Sequence, residues 1–167
     1  MSRLYLGVPF GIWLESPAWL PAGGAPGELL EDLRLDESEL SVFLLPDGAE
    51  PQRVAVALAG KRSRLQDSGW IAFDLDIVQS LAIEIGETKG QTVDPVVDEW
   101  HRDLRRLTVN SVAAFVHRLW AIRESTLGNL ASKEVKAGLV DGVKGGHLKL
   151  DLMHQEMQKM VKANLPS

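Results

Sequence analysis

The chain has 167 residues, 45% apolar and 25% charged, which is enough for one folded domain with a real core. It has no cysteine, which excludes disulfides, thiolate metal sites and cysteine nucleophiles together. Its net charge of −5 divides into −6 over residues 1–60, −1 over 61–124 and +2 over 125–167, a balance that speaks against a dedicated nucleic-acid binder.

Leu4, Leu6, Val8, Phe10, Ile12 and Leu14 alternate with Tyr5, Gly7, Pro9, Gly11 and Trp13. Period two predicts a strand, which Pro9 either confines to a sheet edge or breaks in two. Pro9 and Glu15 interrupt the apolar patch, so the N-terminus reads as structure rather than as a signal peptide. A Pro/Gly-rich loop then leads to a short helix, Glu28 to Leu33. A second strand, Leu40 to Leu45, ends at the turn signal Pro46-Asp47-Gly48. Glu50-Pro51 opens a helix that runs to about Leu65, and Trp70 to Phe73 is a third strand. Strand, helix, strand at this length predicts a β-α-β crossover with a parallel pair.

Beyond the polar stretch "EIGETKGQT" the pattern turns helical. Asp94-Pro95 is a helix start, and Val97, Trp100, Leu104 and Leu107 follow at spacings of three and four. Further helices are predicted from Thr108 to about Glu124, from Leu130 to Val140, and from Leu148 to about Asn164. The fold class is therefore α+β: a small mixed sheet with a β-α-β unit over residues 1–90, then a helical region over 91–167. The two regions form separate units or one merged domain. No apolar run approaches the roughly 20 residues of a membrane span. A cytoplasmic setting is expected.

The stretch Trp70 to Leu81, "WIAFDLDIVQSL", resembles the nucleophile loop of the haloacid-dehalogenase phosphotransferases over about nine residues, with Val78 at a position where that family accepts Thr or Val. The resemblance implies that Asp74 attacks phosphorus and Asp76 handles the leaving-group proton. Such chemistry also needs a hydroxyl for the phosphoryl oxygens, a Lys beside the nucleophile and further acids for Mg²⁺. Thr88 and Lys89 follow Asp74 by only 14 and 15 residues, too few for the crossover that would return another parallel strand. On the residues alone, one of the two aspartates is the N-cap of a short helix, Ile77 to Ile83. "AVALAGKRS" (55–63) resembles the end of a phosphate-cradling P-loop but lacks its first glycine and its Mg²⁺-binding hydroxyl. The chain has no G-x-G-x-x-G and no G-x-S-x-G, so no cofactor is expected.

His147, Asp151 and His154 fall at i, i+4 and i+7 on the predicted last helix and could face one divalent ion; the competing reading is a polar helix face, and no metal is expected. His101 could act as a general base oriented by Asp98 or another acid, or simply sit among the surface charge pairs of a helix. Lys61, Arg62 and Arg64, and Arg102, Arg105 and Arg106, form two basic clusters that read as solvated faces, with nucleic-acid contact through the second as a weaker option.

The opposite face of the last helix carries Met153, Met157, Met160 and Val161, a stripe following Gly145-Gly146. Methionine is adaptable and over-used at docking surfaces, but the stripe can equally pack on the chain's own core. Trp13 and Trp19, in or beside the Pro/Gly-rich loop, are candidate partner contacts. The expected function is a non-enzymatic interaction module, an adaptor, regulator or small subunit. It would dock another protein, or a second copy of itself, through Met153, Met157, Met160, Val161, Trp13 and Trp19. The alternative is a metal-dependent or phosphohydrolase-like enzyme using Asp74 and Asp76, or His147, Asp151 and His154.

Overall fold

In a computed structural model, which describes residues 2–33 and 39–165, the alternation of the first segment yields β1 (Arg3–Val8). Leu4, Leu6 and Val8 are buried on one face and Tyr5 on the other. Pro9 breaks the pattern, and a short helix, α1 (Phe10–Leu14), replaces the continuation of the strand. There follow α2 (Glu28–Asp32), β2 (Leu40–Leu45), α3 (Pro51–Ala59), β3 (Ser68–Asp74), α4 (Asp76–Ser80) and β4 (Glu84–Glu87). The remainder comprises α5 (Pro95–Asp98), β5 (His101–Arg105), α6 (Val109–Thr126), β6 (Leu127–Leu130), α7 (Ser132–Lys144), a 3-10 turn (Leu150–Leu152) and α8 (Gln155–Lys162).

The strands form one six-stranded sheet in the order β4-β5-β2-β1-β3-β6. The α+β class holds, and the crossover β2-α3-β3 is present with its two strands running the same way. Yet β1 lies between them, antiparallel to both, so the crossover straddles a strand and every neighbouring pair is antiparallel. Because Pro9 sits just past the end of β1, its missing N–H costs no ladder bond, and β1 can occupy the centre of the sheet.

The helix expected from Asp94 to Leu107 is one turn followed by a strand. Asp94 does cap it, accepting from the Val96 amide at 3.0 Å. But Asp98 accepts from the Thr92 amide at 2.6 Å and its carbonyl accepts from the Gly90 amide, which folds the preceding loop back and stops the turn. β5 then pairs with β2 on one side and β4 on the other. Thus residues 91–167 contribute β5 and β6 to the sheet that residues 1–90 begin. The last helix also differs from expectation: a 3-10 turn comes first, and α8 starts only after His154, whose ring accepts from the Glu156 amide at 3.3 Å. Gly146, at φ +76°, makes the turn that precedes it.

Both faces of the sheet are covered. On one, Leu4, Leu6, Val42, Ile71, Phe73 and Leu104 pack against Val112, Phe115, Val116 and Leu119 of α6. The sequence gives α6 a secure start, since Thr108 and Ser111 bond reciprocally in a capping box. On the other face, Tyr5, Phe43, Trp70 and Ala72 lie beneath Val54, Ala55 and Ala57 of α3. A further layer joins Val56 and Val93 to Val135 and Leu139 of α7 and to Met157 and Val161 of α8. Each large apolar side chain fully buried in these layers contributes about 1.5–3 kcal/mol. Loop and helix are tied where Arg53 donates to both oxygens of the fully buried Asp94, at 2.7 and 3.2 Å.

Candidate functional site at a fork in the sheet

β1 and β2 begin as a regular pair, Arg3 opposite Leu45, Leu4 opposite Leu44 and Tyr5 opposite Phe43. There the pairing stops, although β1 continues to Val8 and β2 starts at Leu40. Each strand keeps its outer partner to the end: β1 stays with β3 as far as Val8 opposite Gly69, and β2 stays with β5 from Leu40 opposite Leu104. The sheet therefore forks. Among the described residues the β1–β2 register does not extend to Leu6–Val8 and Leu40–Val42. The inner edges of the fork thus carry amide and carbonyl groups outside any ladder.

A cleft of about 630 Å³ fills the fork. That is within the range of about 300–1,000 Å³ typical of ligand pockets. Leu6, Gly7 and Val8 line it from β1, Leu40 and Ser41 from β2, and His101 from β5, with Arg62, Gln66 and Asp67 coming from the segment after α3. Gly69 forms its base because a Cβ there would stand 2.6 Å from the Val8 carbonyl oxygen, so the close approach of β3 to the fork requires glycine.

The polar wall is a connected network. Thr88 donates to Asp103 Oδ2 at 2.6 Å, Ser41 donates to Asp103 Oδ1 at 3.2 Å, and Thr88 Oγ1 lies 2.8 Å from His101 Nδ1. Register explains the convergence: Ser41 is opposite Asp103, and Phe43 is opposite His101, whose ring meets the phenyl edge-on at 5.2 Å. Asp103 is buried, and the two hydroxyls offset the cost of desolvating its carboxylate. Deeper in, Tyr5 stacks on Trp70 and hydrogen-bonds Ser68, which also accepts from Arg62 at 3.3 Å. Burial pushes the Tyr5 phenol far above its ordinary range, outweighing the nearby Arg62 charge and the Ser68 bond.

The structure disperses most of the residues singled out in the sequence. Asp74 and Asp76 are exposed at the end of β3 and the start of α4, and neither carboxylate makes a hydrogen bond or ion pair among the described residues. The residue that precedes α4 is Leu75 and Asp76 is the helix's first residue, so neither aspartate caps that helix. His147, Asp151 and His154 fall on a turn, the 3-10 segment and a helix cap rather than on one helical face, and no group of three possible ligands forms among the described residues. Met153, Met157 and Val161 are buried within the chain, and Met160 is half-buried against the same cluster. The stripe faces inward. Trp13 is fully buried and packs 6.2 Å from Trp120, whereas Trp19 is 69% exposed. His101 is on a strand and is oriented by Thr88, not by Asp98. Ser41 and Asp103 escaped sequence reasoning, and Thr88 entered it only as a hydroxyl for phosphoryl oxygens, although His101 and Asp103 stand two apart and would share a face once that segment is read as a strand.

No helix among the described residues is long and apolar enough to cross a membrane. No family model, curated protein or solved structure shows significant similarity to the chain.

Proposed function

We propose that the protein is a non-enzymatic interaction module that takes an extended peptide segment of a partner into the fork between β1 and β2. The observation that carries this reading is the early end of the β1–β2 ladder beside a cleft of about 630 Å³. Unladdered amides and carbonyls at strand spacing match the backbone of another extended chain, and main-chain bonding of that kind supplies affinity while side-chain pockets supply selectivity. Both inner edges belong to strands held by a second neighbour, so the site is pre-formed and little ordering opposes binding. A cytoplasmic setting, where such a chain needs no disulfide, belongs to the same reading.

Gly7 provides the test. A Cβ placed there meets nothing nearer than the Tyr5 ring at 3.8 Å, so a side chain can be added without disturbing the sheet, and it would stand in the cleft. Random peptides displayed on phage and selected on the wild-type protein should lose retention on Gly7→Leu while the melting temperature stays unchanged. Equal retention by the two proteins would reject the fork as the binding site.

A second reading rests on Trp19. It is exposed on a loop shaped by successive turns at Pro17 and Pro21 and held to α6 by His117, whose Nε2 lies 2.8 Å from the Gly23 carbonyl oxygen. A large exposed aromatic on a tethered loop is a contact point for a partner. Trp19→Ser should weaken partner binding with the fork intact; unchanged binding would remove the loop from the interface.

A further inference from the structure

A hydroxyl has one proton, and at Thr88 its destination is fixed. The 2.6 Å distance to Asp103 Oδ2 is that of a charge-assisted O–H···O⁻ bond, so the Thr88 proton is committed to the carboxylate. Its oxygen then offers only lone pairs to His101 Nδ1, 2.8 Å away, and the imidazole must be the donor in that contact. Asp103 Oδ1 is already engaged by Ser41 and lies 3.7 Å from His101 Nε2, beyond hydrogen-bond reach. The ring itself is braced by the Phe43 edge. Neutral His101 is thereby held with the proton on Nδ1, leaving Nε2 as an uncommitted acceptor on a side chain that lines the cleft.

From this relay we infer that His101 is the specificity-determining residue of the cleft and selects a peptide carrying a hydroxyl or amide N–H donor at the position that reaches it. This rests on the peptide-binding reading of the fork and adds which side chain the fork accepts. An apolar side chain at that position would desolvate Nε2 without replacing its hydrogen bond, which is a penalty, while a donor restores it. Asp103 supports the selection only through Thr88, as a positioning residue.

Two measurements on the full chain test the inference. Long-range ¹⁵N–¹H spectra of the wild-type protein at mildly alkaline pH should show His101 protonated at Nδ1, and Thr88→Val should abolish that preference. An Nε2–H tautomer in the wild type would overturn the relay. Peptides selected by phage display on the wild type should then favour Ser, Thr, Asn or Gln at one position, and replacing Thr by Val there should weaken binding by about three- to tenfold. His101→Phe should bind the Thr-bearing and Val-bearing peptides alike, whatever its overall affinity for them. Peptides that bind the wild type without a donor preference, or a preference that survives His101→Phe, would refute the selection and leave the fork intact as a peptide site. Absence of any retained peptide, with Gly7→Leu indistinguishable from wild type, would refute both together.

Discussion

The two halves of β1 make opposite use of the same alternating sequence. From Arg3 to Tyr5 the strand is laddered on both sides, with β2 and β3, and Leu4 and Tyr5 are buried on its opposite faces. From Leu6 to Val8 it keeps only β3, and the space on its other side is the cleft. The closed half carries stability, and the open half has backbone bonding capacity to offer. A central strand can do both because one neighbour is enough to hold it straight.

Four measurements can break or sharpen that contrast. The largest effect belongs to Phe73, opposite Leu4 in the closed half and packed edge-on against Phe115 at 5.4 Å. Phe73→Ala should cost about 3–5 kcal/mol in urea unfolding. A loss under about 1 kcal/mol, the range of a surface change, would mean that the closed half is not a packed core. Next comes the helical layer behind the cleft wall, where Met157 packs with Val93. Met157→Ala should cost about 2–4 kcal/mol and Met160→Ala far less. The reverse ranking, or no cost at either site, would return the methionine stripe to a docking role.

Tyr5, at the last paired position, gives a smaller effect confined to alkaline pH. It is the chain's only tyrosine, so phenolate absorbance reports on it alone. Its phenol is raised by burial, so the folded state favours the neutral form. Stability is full below the ordinary tyrosine pKa of about 10 and falls as pH rises above it, because the unfolded chain releases the proton first. Phenolate appearing near pH 10 without unfolding would show that water reaches Tyr5 and that the half called closed is open. The smallest effect is expected at Gly7. Gly7→Leu should shift stability by no more than about 0.5 kcal/mol, since its side chain enters the cleft rather than the core. A loss of several kcal/mol would mean that the open half is as tightly packed as the closed one.

Much of this fold was legible because local patterns agreed with the tertiary outcome. The alternation at Leu4–Val8, the run Leu40–Leu45 and the Thr108 cap all produce the elements they predict. The misread elements are those where two periodicities coincide. Trp100 and Leu104 are four apart, which suits a helix face and equally one face of a strand, and the Thr92–Asp98 bond decides between them from outside the window. β4 and β6, four residues each, carry too little pattern to register alone. The site was the least visible part. Ser41, Thr88, His101 and Asp103 lie on two strands, β2 and β5, and the loop after a third, β4, and only sheet order brings them together. The Asp74 and Asp76 motif shows the converse, a short local resemblance that the fold leaves on the surface.

The position of β1 between β2 and β3 also orders events in time. β1 precedes both of its partners in the chain, and the second of them ends at Asp74. During synthesis its β2 edge can pair once Leu45 has emerged, but its β3 edge must wait, unpaired, while α3 crosses over and β3 emerges. The sheet is completed only when β6, at residues 127–130, is added beside β3. A chain wired this way gains little from its early local contacts and should fold slowly for its length. Until β3 arrives, the strand that borders the cleft keeps an unpaired edge exposed to other chains.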